Sequence, residues 1–200
     1  MSPQTDATRN AALSILEAHG MSWVRVGRGQ RFVVHIEGAG RKKVRALVKA
    51  ASLGSAMVRT DRDDADSAKL LGFEADVDHV LFAVGSRDST EIVAYLVPIK
   101  EVEAAYRSGH RVWRSTHAVR NENTTWVLWF NDSGTTPECN GFDRKWAQYR
   151  VGTSSPTAHV SGDPSAVGHG GNNSAIEDAK GLIAARLGVS PDQVKIVIEY

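Results

Sequence analysis

The chain has 200 residues, 42% hydrophobic and 24% charged, the composition of an ordinary globular protein with one good-sized core. A formal charge of +1 gives no overall field to draw it onto nucleic acid or a membrane, and the single cysteine, Cys139, excludes an internal disulfide and a cysteine-based zinc cluster. No apolar run reaches membrane-spanning length and the first residues lack an apolar signal core, so a cytoplasmic location without membrane contact is expected.

Residues 5–19 predict an amphipathic helix. Thr5 or Asp6 caps it, Ala12, Ile15, Leu16 and His19 fall on one face, and Gly20 supplies the left-handed stop. Glu17 lies near the C-terminal end, where the helix dipole disfavours a negative charge; it reads as a solvated surface residue or, alternatively, as a functional carboxylate. Three β segments follow at residues 21–26, 31–36 and 43–50, joined by short glycine-containing connections, so a β-meander is the economical pairing. His35 and Glu37 alternate to one side of the second, and Arg45, Leu47 and Lys49 to one side of the third.

Charge is unevenly spread along this stretch. Between Arg25 and Lys49 lie eight Lys/Arg residues against one acid, Glu37, which suits either a local polyanion footprint or lysine-protected strand edges. Lys49 stands apart because it follows an apolar run, where an ammonium group is destabilising unless an anion meets it. Residues 52–72 then lose regularity. They hold Asp61, Asp63, Asp64 and Asp66 and a short helical stretch near 67–71, and long excursions of this kind are usually functional or mobile.

Residues 77–84 are almost wholly apolar and predict a central strand; residues 91–99 predict a second, closed by Pro98 before a helix at 100–107. Residues 124–131 predict another strand, and Phe142, Trp146 and Tyr149 are helically spaced within 141–150. Trp113, Trp126, Trp129 and Trp146 suggest core packing first and a base-stacking platform second. From 151 to 173 the composition turns to Gly, Ser, Pro, Thr and Asn, a flexible linker in which His159 and His169 are too isolated for a metal site. Residues 174–200 predict a helix and one strand, too small to bury a core alone; this tail docks on the main domain, pairs with a protein partner's edge or self-associates. The expected fold is therefore α/β (α+β): a mixed central sheet with an N-terminal β-meander flanked by helices over residues 1–150, the linker, and a C-terminal helix-strand appendage.

Phosphate-loop and dinucleotide readings fail on context, since neither Gly27-Arg28-Gly29 nor Gly38-Ala39-Gly40 opens a helix. Cys139 follows Pro137 in a loop with no organised histidine partner, which argues against a catalytic thiol.

The order helix, three-strand meander, irregular segment, apolar strand, strand, helix resembles the PD-(D/E)XK nuclease-like superfamily, nearest the branch containing group I intron-type endonucleases. The matching pieces are Val44 to Lys49, Asp76-Val77-Asp78 before Leu81-Phe82-Ala83-Val84, and Tyr95-Leu96-Val97-Pro98-Ile99, within residues 8–107. The resemblance implies a restriction-endonuclease-like fold, a DNA or RNA partner, and magnesium if the site is catalytic. It assigns Lys49 as the lysine that orients attacking water and Glu17 as the early acid. The family's two further acids would align near Val33 and Leu47, which are apolar, leaving Glu37, Asp76 or Asp78 to substitute; Glu37 and Asp78 become the candidate metal ligands. Three readings follow. The chain binds nucleic acid without cutting it, through Arg41, Lys42, Lys43, Arg45 and Lys49. It is an active magnesium-dependent endonuclease with migrated ligands. Or it is a non-enzymatic accessory protein that works through its tail.

Overall fold

A computed structural model of the chain describes residues 3–26, 32–38, 41–51, 53–73, 76–85, 91–117 and 122–154. In chain order the elements begin with α1 (Pro3–Ala18), β1 (Met21–Val26), β2 (Val33–Gly38) and β3 (Arg41–Ala51). They continue with β4 (Ser55–Thr60), β5 (Leu70–Leu71), β6 (His79–Gly85), β7 (Ile92–Pro98) and α2 (Ile99–Thr116). Last come β8 (Thr125–Trp129), the short α3 (Phe142–Lys145) and β9 (Arg150–Ser154).

The fold is α+β. Six strands form one mixed sheet in the order β1-β2-β3-β6-β7-β9, and a smaller antiparallel sheet has the order β5-β4-β8. The expected meander is present, with Met21 opposite Gly38 in the first hairpin and Val33 opposite Leu47 in the second. Gly38 is needed at that corner: its φ is +112°, and a Cβ there would come within 2.7 Å of the Gly20 carbonyl oxygen. β6 runs parallel to β3, with Ala46 opposite His79 and Lys49 opposite Phe82; the remaining neighbours in the large sheet are antiparallel.

Alternate residues of the large sheet feed two cores. On one face Val34, Ile36, Ala46, Val48, Leu81 and Ala83 pack under the α1 residues Ala12, Leu13, Ile15 and Leu16. On the other, Val80, Phe82, Val84, Tyr95 and Val97 join Ala56, Val58, Trp126 and Leu128 of the small sheet with Val102 and Tyr106 of α2. The Tyr106 hydroxyl donates to the Ala56 carbonyl at 3.0 Å and ties the helix to β4.

Four local expectations change. The excursion at 52–72 contains strands β4 and β5 instead of a helix near 67–71. α2 runs nine residues past Arg107, because Gly109 serves as a contact point for the Cys139 sulfur and does not end the helix. The helix expected over 141–150 is one turn of α3 followed by a 3-10 turn at Ala147–Tyr149. Residues 151–154, read as the start of the linker, belong to β9, which covers the β7 edge; Gly152 there leaves room for the His19 imidazole. The turn at 27–29, the rest of the linker with His159 and His169, and the 174–200 appendage lie outside the described residues.

Candidate functional site

Lys49 sits where β3 continues past its last pairing with β2. A cavity of about 430 Å3 opens there, lined by Thr5 and Arg9 of α1, Phe32, Leu47 and Lys49, Leu53, and Ser55 and Met57 of β4. Among the described residues no carboxylate lines it. The Lys49 ammonium lies 5.3 Å from the centre of the Phe73 ring, a cation–π contact, and forms no hydrogen bond or ion pair among the described residues. Burial, helped by the Arg9 charge, lowers the Lys49 pKa to about 8. Arg9 pairs with the exposed carboxylate of Asp6 at 3.3 Å within its own helix. Two cations and the Thr5 and Ser55 hydroxyls thus converge on one opening, a chemistry that suits an oxyanion.

The other expected residues do not gather at Lys49. Glu37 is exposed and falls beyond the Ile36–Val44 pair, so more than five strand residues, upward of roughly 16 Å, separate it from Lys49. Glu17 accepts a hydrogen bond from the Trp23 indole at 3.0 Å, which gives it a structural partner across the α1–β1 turn. Asp78 accepts the Arg45 amide at 2.9 Å while its own amide donates to the Arg45 carbonyl, so it fixes the start of β6 against β3. Arg45 is held by Asp76 at 2.5 Å. Lys42 and Lys43 are exposed near the far end of β3, where Arg41 begins the strand.

Val33 and Leu47, the positions at which the resemblance implies acids, are direct cross-strand partners and bury together with Val77. Magnesium takes oxygen ligands, and this cluster offers methyl groups. No group of three His, Cys, Asp or Glu side chains able to hold a metal occurs among the described residues. The residues around Lys49 therefore do not fit a magnesium ion, and Glu37 and Asp78 are not brought together as ligands.

Sequence reasoning passed over Arg9 and a second cavity of about 220 Å3, beside the outer edge of β8. His110, Trp113, Trp126, Trp129, Thr136 and Cys139 are among its walls. The His110 ring stacks on Trp126 at 4.2 Å between centroids and on Trp113 at 5.7 Å, while its Nε2 lies 2.6 Å from Asp63. Both side chains of that pair are 3% exposed. Burial pushes the imidazole below its ordinary pKa against the pull of Asp63, so the neutral ring donates from Nε2. Burial alone would raise Asp63, but the Asn123 amide, His110 and Arg114 outweigh it and hold the carboxyl below its usual range. Burial raises the Cys139 pKa, which keeps the sulfur a thiol and agrees with a non-catalytic cysteine.

The acidic excursion is fastened to α2 by residues at helical spacing. Arg107 donates to the Ala65 and Ala68 carbonyls at 2.7 and 2.9 Å, Arg111 meets Asp66 at 2.5 Å, and Arg114 meets Asp63 at 2.9 Å. Asp63 and Asp66 are thus structural partners of a basic helix face, while Asp61 accepts the Lys69 amide at 2.7 Å and Asp64 the Ser67 hydroxyl at 2.5 Å within the excursion itself.

No protein-family model, no curated protein and no solved structure matches this chain. No helix among the described residues is long and apolar enough to cross a membrane.

Proposed function

We propose that this chain binds nucleic acid through the phosphate backbone and does not cut it. One observation carries the reading: a desolvated Lys49 ammonium, beside Arg9, in an open cavity that no carboxylate lines among the described residues. A phosphodiester oxygen supplies the missing counter-charge, and the Thr5 and Ser55 hydroxyls add neutral hydrogen bonds. Lys43, six residues along β3 on the same side as Lys49, offers a contact for a further phosphate. The reading leaves out the metal-dependent cleavage that the resemblance implies, because that mechanism needs a metal held by acids and valine and leucine stand where those acids would be.

The test is anisotropy of a labelled oligonucleotide across roughly 50 to 200 mM salt. The logarithm of the affinity should fall linearly with log salt, and Lys49→Ala should weaken binding about tenfold or more, as loss of a charge-assisted contact does. Salt-insensitive binding, or no binding, overturns the proposal. Magnesium-dependent cleavage that disappears in Lys49→Ala overturns the non-cutting part of it.

A further inference from the structure

The two cavities flank one surface. Cross-strand partners in a sheet point to the same face, and β4 pairs with β8 so that Ser55 lies opposite Trp129 and Met57 opposite Val127. Ser55 and Met57 line the Lys49 cavity, and Val127 and Trp129 line the aromatic one. The two cavities are therefore walled in part by the neighbouring strands β4 and β8, which run about 4.8 Å apart. Arg59 shares this face and faces Leu71 across the β4–β5 pair. Leu71 and Met57 are 50% and 59% exposed, unusual for large apolar side chains lying side by side on one sheet face.

The aromatic cavity has the features of a built site. Trp113 and Trp129 are half-buried and present ring surface, and among the described residues no acid lines the space. The Thr136 hydroxyl is buried and has no hydrogen-bond partner among the described residues. A polar atom left in that state is destabilising unless a ligand completes it. Its loop is held rigidly: the Gly134 amide donates to Asn140 Oδ1 at 2.9 Å, and Asn140 Nδ2 donates back to the Gly134 carbonyl at 2.8 Å. Gly134 has no side chain because Trp129 packs directly upon it. A volume of about 220 Å3 is small for a drug-sized ligand and suits a single flat ring.

Resting on the nucleic-acid reading above, we infer that the outer face of β5-β4-β8 is a single-strand platform: a phosphate sits at Lys49 and Arg9, and a neighbouring unpaired base enters the aromatic cavity, stacks on Trp129 and hydrogen-bonds Thr136. Charge complementarity selects the polyanion, and the depth of the aromatic cavity selects a base that is free of a duplex stack. A paired base presents only its edge and cannot enter.

The experiment uses the full chain and two labelled probes, a single strand of about ten nucleotides and the same sequence as a duplex, with intrinsic tryptophan fluorescence as a second readout. The single strand should bind at least tenfold tighter than the duplex and quench the fluorescence. Trp129→Ala should weaken single-strand binding about ten- to a hundredfold and leave duplex binding unchanged. Thr136→Val guards against misfolding, since it removes an unpartnered hydroxyl at nearly constant volume. It should keep or raise the Tm while weakening single-strand binding several-fold. Equal binding of single strand and duplex, both lost in Lys49→Ala and both untouched in Trp129→Ala and Thr136→Val, overturns the platform and leaves phosphate binding intact. No salt-dependent binding of either probe removes both proposals.

Discussion

An ammonium group taken out of water without a counter-charge titrates unlike its solvated neighbours, and Lys49 can be identified by that behaviour. With its pKa at about 8 it is largely charged at pH 7 and largely neutral at pH 9, whereas exposed lysines keep their charge to about pH 10. Affinity for an oligonucleotide should therefore fall between pH 7 and 9, and Lys49→Arg, charged throughout, should flatten the profile while retaining binding. An unchanged profile in that variant would place the titrating group elsewhere. Without ligand the sign reverses. The unfolded chain holds the Lys49 proton up to about 10.5 and the folded protein sheds it at about 8, so this group makes the protein more stable as pH rises through that window. For the same reason Lys49→Met should stabilise the ligand-free protein by about 1 kcal/mol, as removal of an unfavourable buried charge commonly does. Lys49 was legible in the sequence because a lysine after an apolar run is conspicuous. Arg9 was not, since nothing local says that the second turn of a helix will face the end of the third strand.

At the scale of elements, the least regular part of the sequence is secured by α2. Asp63 is the centre of that attachment, buried against His110, Arg114 and the Asn123 amide, and Asp63→Ala should destabilise the protein by about 3 kcal/mol, read as a shift in urea midpoint. The pH dependence has two stages. His110 is held below its ordinary 6.5, so the unfolded chain takes up a proton first and stability declines as pH drops through 6.5. Asp63 is held low, so its contribution, complete above the usual carboxylate range, is lost further into acid as the folded carboxyl protonates. His110→Gln, which keeps a donor for Asp63 and cannot titrate, should remove the first stage from a Tm–pH curve and leave the second. The meander and the strands at 79–85 and 92–98 were readable because period-two patterns and glycine or proline punctuation agree there. β4 alternates as cleanly, with Ala56, Val58 and Thr60 inward, but it sits between a glycine and an acidic cluster that suggest a loop. α2 was cut short at Ser108-Gly109, where a tertiary contact with Cys139 requires the glycine. β9 is a polar edge strand, recognisable only once β7 is seen to need a neighbour.

For the molecule as a whole, the position of the Lys49 cavity matters as much as its charge. Thr5 and Arg9 come from the helix over one face of the large sheet, Lys49 from the sheet, and Ser55 and Met57 from the small sheet over the opposite face. A bound phosphate therefore bridges three layers that otherwise meet through two separate apolar cores, and ligand binding should appear as global stability. At an oligonucleotide concentration a hundredfold above Kd, linkage gives about 2.7 kcal/mol, or roughly 5–10 °C in Tm for a domain of this size. Lys49→Met should start above the parent protein without ligand and fall below it with ligand, because it gains little from the oligonucleotide. That inversion of order separates a loss of binding from a loss of folding, which a single affinity measurement does not. If the two proteins rise together on adding the strand, the phosphate is held somewhere other than Lys49, and the charge left buried on the third strand must serve a different anion.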